Sequence, residues 1–291
     1  MRESGSGLVI HAGPGAGQLS ESEHQLFSEL IYQTCGISFG SEKKTFLEAR
    51  LRKRMEQVGL GSMAEYYQLV KSARGKADEM YHLLDALLIG ETSFFRNPPQ
   101  FDLFSNVVLP ELIAHKEKHG IRSLRVWSAG CSTGQEPYTI AMAILEAFPQ
   151  VADWPLFRIY ASDLSFTSLE RAQRGHYRPE QMKGVGESCV RKYFHEEHDH
   201  YAVNDAVKRH VVFDYHNLKH DNGLLALDVI FCRNVMIYYS REEQQRLVNR
   251  FADCLLTGGW LFIGHAESLQ GISDRFTMVH QNKGIAWRLD K

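Results

Sequence analysis

The chain has 291 residues, 44% of them hydrophobic and 23% charged, with a formal net charge of -2. That length suits one large domain or two smaller ones, and the composition is that of a globular protein. Near-neutral charge gives no global reason to expect nucleic acid as a partner, and no apolar run approaches the ~20 residues that span a bilayer.

Residues 1–19 are rich in glycine and polar residues, which predicts a disordered extension. Their one apolar stretch, Leu8-Val9-Ile10, is too short for a secretory signal, so a cytoplasmic location is expected. Residues 20–89 read as a helical domain. Phe27, Leu30 and Ile31 share one helical face, and Leu47, Leu51, Met55 and Val58 share another. Ser62 can cap the helix that carries Tyr66, Leu69 and Val70. Met80 opens a further apolar-faced helix. Residues 90–99 form a joint, because Pro98-Pro99 stops a continuous helix.

From residue 121 the pattern changes to strands alternating with helices. Residues 124–129, 157–162, 227–231 and 260–264 read as strands, and residues 276–280 with 284–289 as a closing hairpin. Such alternation predicts an α/β fold, a doubly wound, largely parallel sheet with helices on both faces. Between about residues 177 and 215 the rhythm breaks. Tyr201-Ala202-Val203 and Val211-Val212-Phe213 are short strand-like pieces, read as a small antiparallel β-subdomain inserted in the α/β domain. Ser240 with Glu243 makes a capping box for a helix through Leu256. The five cysteines, Cys35, Cys131, Cys189, Cys232 and Cys254, include no C-x-x-C pair. Neither a disulfide framework nor a zinc site is expected, and three of them read as buried small hydrophobes.

In doubly wound sheets ligands bind beyond the carboxyl ends of the strands. The first strand runs into Gly130-Cys131-Ser132-Thr133-Gly134, with Glu136 opening the next helix. Such a turn lets a ligand approach the backbone, although a glycine-rich turn is also often only a turn. After the second strand comes Asp163, placed either to accept hydrogen bonds from ribose hydroxyls or to cap a helix. After the third strand come Arg233-Asn234 and an apolar run ending in Tyr238. Before the first strand, Thr92, the aromatic pair Phe94-Phe95 and Arg96 stand at the domain joint, where clefts are common; Arg96 could equally pair with a carboxylate.

The turn lacks the G-x-G-x-x-G of a dinucleotide fold and the G-K-[ST] of a P-loop. Glu136 beside it disfavours a polyphosphate and suits a cationic or zwitterionic ligand. S-adenosylmethionine has that character: a ribose, an ammonium, a carboxylate and a sulfonium, with no phosphate. His195, His198 and His200 alternate faces at strand spacing and read as a solvated loop, so no metal is expected. Lys43, Lys44, Arg50, Arg52, Lys53 and Arg54 crowd one helix, with Arg50, Lys53, Arg54 and Gln57 as an exposed stripe opposite Leu47, Leu51 and Met55. The stripe is either a solvated face or a means of steering an acidic partner.

Several long segments together resemble the CheR-type methyltransferases, which methylate glutamates of bacterial chemoreceptors. They are Thr92-Ser93-Phe94-Phe95-Arg96, residues 127–138, Ala161-Ser162-Asp163, residues 228–238 and Gly264-His265-Ala266-Glu267-Ser268. The resemblance runs from Leu26 to the end of the chain. It implies a class I methyltransferase-like sheet, an N-terminal helical receptor-recognition domain at residues 20–89, and a methyltransferase domain at residues 90–291 with its inserted β-subdomain. It implies S-adenosylmethionine as cofactor, S-adenosylhomocysteine as product, and chemoreceptor glutamates as acceptors.

Position by position, Thr92, Arg96 and Glu136 would hold the methionine part, with Gly130 in the cofactor turn. Asp163 would hold the ribose. Asn217, Leu218, Arg233 and Asn234 would line the adenine and nearby pocket. Arg96 and Tyr238 would act at the transferring methyl, and Arg50, Lys53 and Arg54 would recognise an acidic receptor helix. The implied setting is a monomer in the cytoplasm, recruited to receptor arrays and docked on the cytoplasmic helical domain of a membrane receptor without entering the membrane. Departures stand at Gly90, where relatives often carry Asn, and in the short link from Phe194 to Tyr201. Many methyltransferases acting on bases or amides carry N/D-P-P-Y/F where Cys232-Arg233-Asn234-Val235 stands here, which argues against a nucleic-acid substrate. A non-catalytic adaptor is disfavoured by the intact Arg96, Glu136, Asp163 and Tyr238.

Overall fold

The computed structural model describes residues 18–72, 78–88 and 90–290. The chain divides into two compact units, Met1–Leu88 and Ile89–Lys291. No helix among the described residues is long and apolar enough to cross a membrane.

The first unit contains helices α1 (Glu21–Cys35), α2 (Lys44–Val58), α3 (Met63–Lys71) and α4 (Asp78–Leu87). Ser20 and Glu23 close a reciprocal capping box on α1, and Ser62 caps α3 as its position predicts. Phe27, Ile31, Leu47, Leu51, Tyr66, Val70 and Leu83 are all at most 1% exposed and form the core. Residues 1–17 of the extension expected to be disordered lie outside the described residues. Leu19, at the end of that stretch, is buried.

The α2 stripe is not the uniform exposed face expected from spacing. Lys53 is exposed and Arg50 half-buried, with the Arg50 guanidinium 4.9 Å from the Phe46 ring centre. Arg54 instead turns inward. It donates to both oxygens of the buried Glu79, at 3.0 and 2.7 Å, while the Tyr66 hydroxyl donates to the same carboxylate at 2.7 Å. The cause is α4, which packs on α2 and carries a carboxylate that periodicity along α2 alone cannot reveal.

In the second unit, α5 (Pro98–Leu103) and α6 (Leu109–Lys118) are joined by a π-helical turn at Phe104–Val108. Pro98 and Pro99 open this helical run, because the first turn needs no intrahelical N–H. There follow β1 (Ser123–Ala129), α7 (Gln135–Ala147), β2 (Leu156–Asp163), α8 (Phe166–Arg174), β3 (His176–Tyr177), α9 (Glu187–Tyr193), β4 (Phe194–Glu197) and β5 (His200–Val203). After them come α10 (Asp205–Lys208), β6 (Val211–Tyr215), β7 (Leu227–Cys232), α11 (Arg241–Cys254), β8 (Leu255–Ile263), β9 (Phe276–Gln281) and β10 (Gly284–Leu289).

The main sheet has seven strands in the order β6-β2-β1-β7-β8-β10-β9. The first five run parallel, and β10 is antiparallel to both its neighbours. This is the doubly wound sheet of class I methyltransferases, with the antiparallel strand inserted near one edge. The chain winds outward from β1 to β2 and β6, then returns to β7 on the other side of β1. The carboxyl ends of β1 and β7 are therefore the topological switch point where ligands bind. Every residue of β7 is buried, as expected for a strand covered on both faces. Phe231, Phe262, Phe104 and Ile140 lie in one core, and Trp127, Ile230, Leu261 and Phe251 in the other.

Two sequence expectations change. Residues 211–213 belong to β6, which pairs with β2 in the main sheet, so the small antiparallel sheet is limited to β3, β5 and β4. Sequence alternation cannot distinguish an edge strand from an inserted hairpin when charged residues flank both. The last helix stops at Cys254, and β8 begins at Leu255. Ser240 does cap it, accepting from Glu243 N at 3.3 Å, but the Glu243 carboxylate accepts from Arg246 at 2.6 Å.

Candidate active site

The loop after β1 is built by residues in left-handed backbone conformation: Gly130 (φ 83°), Ser132 (φ 50°) and Gly134 (φ 92°). At Gly130 an added Cβ would lie 2.5 Å from Val235 Cγ2, and at Gly134 it would lie 2.9 Å from Ala172 Cβ and the Tyr177 hydroxyl. Both positions need glycine on backbone and steric grounds together. Ser132 is a non-glycine residue in this region, an arrangement typical of ligand loops. It is held by its N–H, which donates to Asp163 Oδ2 at 2.7 Å, and by its hydroxyl, which donates to Gly90 O at 3.0 Å.

Asp163 ends β2, and its Oδ1 also accepts from Ser165 N at 2.9 Å. Ser165, not Asp163, is the side-chain cap of α8, which removes the ordinary reading of this acid. Asn217 and Leu218 follow β6 at the same end of the sheet; Leu218 is buried against the second core.

Glu136 sits in the first turn of α7, its side chain 12% exposed. Ser128 Oγ donates to its Oε1 at 2.8 Å, and Arg233 Nη1 to its Oε2 at 3.3 Å. Burial raises its pKa above the usual carboxylate value, and the Arg233 charge, the Ser128 hydrogen bond and the Arg96 charge pull the other way. Arg233 is itself enclosed. Its Nε donates to Gln100 Oε1 at 2.9 Å, its Nη2 donates to Arg96 O, and its guanidinium lies 5.5 Å from the Phe101 ring centre. Gln100 in turn donates to Ile263 O and Ile285 O, at 2.8 and 3.0 Å. Arg233 is thus a buried brace that orients Glu136 and the Arg96 backbone, rather than an open wall of an adenine pocket.

Arg96 is half-buried, and its Nη1 donates to Glu91 O at 2.9 Å. Thr92, on the same segment, is half-buried as well. Asn234 follows β7 with φ 59°. Its N–H donates to Glu267 Oε2 at 3.1 Å, Gly264 N donates to the same oxygen, and Ile237 N donates to Glu267 Oε1 at 3.2 Å. Tyr238 ends the short helical turn Met236–Tyr238. Burial raises its hydroxyl pKa, as do the Glu91 and Glu267 charges, and the Arg96 charge opposes them.

Sequence reasoning gave no role to Gln100, Ser128 or Glu267. The signal for Ser128 and Glu267 is position: a hydroxyl one residue before the end of an apolar run, and an acid three residues past Gly264. Gln100 gave no sequence signal, because its task depends on β8 and β10 meeting α5.

The arrangement offers what S-adenosylmethionine requires. It has a largely enclosed carboxylate (Glu136) that could hold an ammonium, a guanidinium (Arg96) for a carboxylate, an acid at the end of β2 (Asp163) for ribose hydroxyls, and a close-approach turn without a basic side chain for phosphate. Glu136 has two described donors, and a carboxylate can accept about four.

Fold and site define a class I S-adenosylmethionine-dependent methyltransferase. The model for the CheR methyltransferase SAM-binding domain matches residues 90–285, and that for the CheR all-alpha domain matches residues 22–88. The chain belongs to the CheR methyltransferase family. It is 37% identical to chemotaxis protein methyltransferase 1 of Pseudomonas aeruginosa over 92% of this chain and 98% of that one. It is 35% identical to the chemotaxis protein methyltransferase of Vibrio parahaemolyticus, over 93% and 98% of the two chains.

Proposed function

We propose that this enzyme transfers the methyl group of S-adenosylmethionine to glutamate side chains of bacterial chemoreceptors, giving methyl esters. The observation that carries the reading is the Glu136–Arg233–Arg96 assembly at the β1/β7 switch point in a chain of this family. Residues 90–291 are assigned the chemistry and residues 20–89 receptor recognition, in the cytoplasm at receptor arrays.

Bound S-adenosylmethionine supplies the methyl as an electrophile on a sulfonium. Glu136 and Arg96 hold the amino-acid end, with Thr92 beside them; Asp163 holds the ribose, and Asn217, Leu218 and Asn234 border the base. A glutamate carboxylate, with a pKa of ~4.3, is already ionised at neutral pH, so no general base is needed. The protein's work is alignment and exclusion of water, worth ~7 kcal/mol or more. Arg96 and the Tyr238 hydroxyl supply donors to the entering carboxylate, whose burial would otherwise be costly. Arg50 and Lys53 on α2 steer the acidic receptor helix. Arg54, committed to Glu79, supports the helix that presents them.

The test is transfer of labelled methyl to membranes bearing a cognate receptor, followed by base. Label released as methanol supports the carboxyl ester. Base-stable label overturns it, and cofactor binding without any transfer favours an adaptor.

A further inference from the structure

The small sheet carries a second cluster of ligating side chains. Glu197 and His200 are directly opposed across the β4–β5 hairpin, so both point to the same face. His176 of β3 is opposite Ala202, two residues along β5 from His200, and therefore shares that face too. Strand spacing alone puts His195, His198 and His200 on alternate faces of one strand. The chain instead folds back at His198-Asp199, and three adjacent strands each deliver one ligand. One donor atom from each of His176, Glu197 and His200 lies within 4.8 Å of the others. The two imidazoles lie face to face, with ring centres 4.5 Å apart.

We propose that His176, Glu197 and His200 form a binding site for a borderline divalent transition metal, Zn2+ or Co2+, separate from the methyl-transfer centre. Two imidazoles and one carboxylate are a set that holds zinc with a coordination position left open. Donors around a four-coordinate ion stand ~3.4 Å apart at the usual bond lengths. His176 is exposed and the other two are half-buried, so they can close that gap by small side-chain rotations.

Outer contacts already orient the ligands. The outer partner of His200 is Asp199, whose Oδ1 lies 3.0 Å from its Nδ1, while its Nε2 faces the fellow ligand Glu197, 3.0 Å from Oε2. A carboxylate on the far nitrogen is the device that fixes a metal-binding imidazole. His195 Nε2 stands 3.3 Å from the other Glu197 oxygen, with its Nδ1 anchored on Asn204 Oδ1 at 2.7 Å. His176 and His200 line a cleft of about 580 Å³. Arg171, Arg174 and Arg178 line it too, against Glu180 and Asp199 there, with Glu170 3.4 Å from Arg174 and Glu197 in the ligand set itself.

The test uses the untagged, metal-stripped full chain titrated with Co2+ and followed by its visible absorption, with Zn2+ as competitor. One Co2+ per chain is expected, displaced by Zn2+. Binding should weaken at least about tenfold in His176→Ala and in His200→Ala, while both variants keep the parent's calorimetric affinity for S-adenosylmethionine. Parent and variants binding Co2+ equally, or a parent that never saturates, would overturn the site. Neither result touches the methyltransferase reading, which the labelled-methyl assay decides independently.

Discussion

Glu136 is a largely enclosed carboxylate, and burial makes its charge conditional while its neighbours favour the ionised form. Its pKa is raised by burial above the ordinary 4.5. An incoming ammonium favours the ionised form, so cofactor affinity should be full above the raised pKa. It should fall as the pH drops through it, at up to about tenfold per pH unit. Calorimetric titration of S-adenosylmethionine across mildly acidic pH reads this directly, and Glu136→Gln should bind weakly with a flattened dependence. Tyr238 makes a different prediction. If its hydroxyl donates to the substrate carboxylate, Tyr238→Phe removes a bond to a charged group, worth roughly 10- to 100-fold in turnover. Cofactor affinity should then be nearly unchanged, and equal loss of both would reject the role. In the first unit, Arg54→Ala should lower stability by leaving the buried Glu79 carboxylate without its cation. Lys53→Ala, exposed and without an ion pair among the described residues, should change only receptor recognition. Urea denaturation beside receptor titration separates the two.

At the scale of elements, the helix before β1 is tied to the sheet by an ion pair with almost no water. Lys116 Nζ of α6 lies 2.7 Å from Asp228 Oδ1 of β7, with side-chain exposures of 5% and 3%. Asp228 Oδ2 accepts from Arg125 N of β1 at 2.9 Å. Burial raises the Asp228 pKa, and the Lys116 charge and the hydrogen bonds oppose the rise. Removing one partner strands a buried charge, so Lys116→Met should cost about 3–5 kcal/mol in chemical denaturation. Adding Asp228→Asn should recover much of that loss, because an amide oxygen can still accept from Arg125 N without a charge. A double variant no more stable than Lys116→Met would show that the loss is packing.

The same element pairings mark where the sequence could be read and where it could not. β1, β2 and β7 were legible because apolar runs ended in glycine, aspartate and Arg-Asn at the points where strands meet ligands. Long local motifs likewise marked Gly130, Glu136 and Asp163, which the fold sets directly after β1, in the first turn of α7 and at the end of β2. The destination of β6, the shared face of His176 and His200, and the inward turn of Arg54 were not, because each depends on a partner strand or helix remote along the chain. Periodicity reports which side of its own element a residue takes; it carries no information on what stands opposite.

Over the whole molecule a net charge of -2 hides an uneven distribution on α2. Lys44 is tied to Glu21, Arg52 to Glu48 at 2.8 Å and Arg54 to Glu79 at 2.7 Å. Among the described residues, Arg50 and Lys53 carry no ion pair. Attraction of exposed charges for an acidic helix is screened within a Debye length of about 8 Å at physiological ionic strength, whereas the Glu136–Arg233 pair is shielded from salt by burial. The two functions should therefore separate under salt. Raising ionic strength should increase the KM for receptor several-fold, with little change in the affinity for S-adenosylmethionine. Lys53→Ala should flatten the dependence of KM on salt, since one steering charge is gone. Parallel salt dependences for receptor and cofactor would place the receptor-facing electrostatics elsewhere than α2. A salt-independent KM would show that the acidic helix is recognised by buried contacts instead.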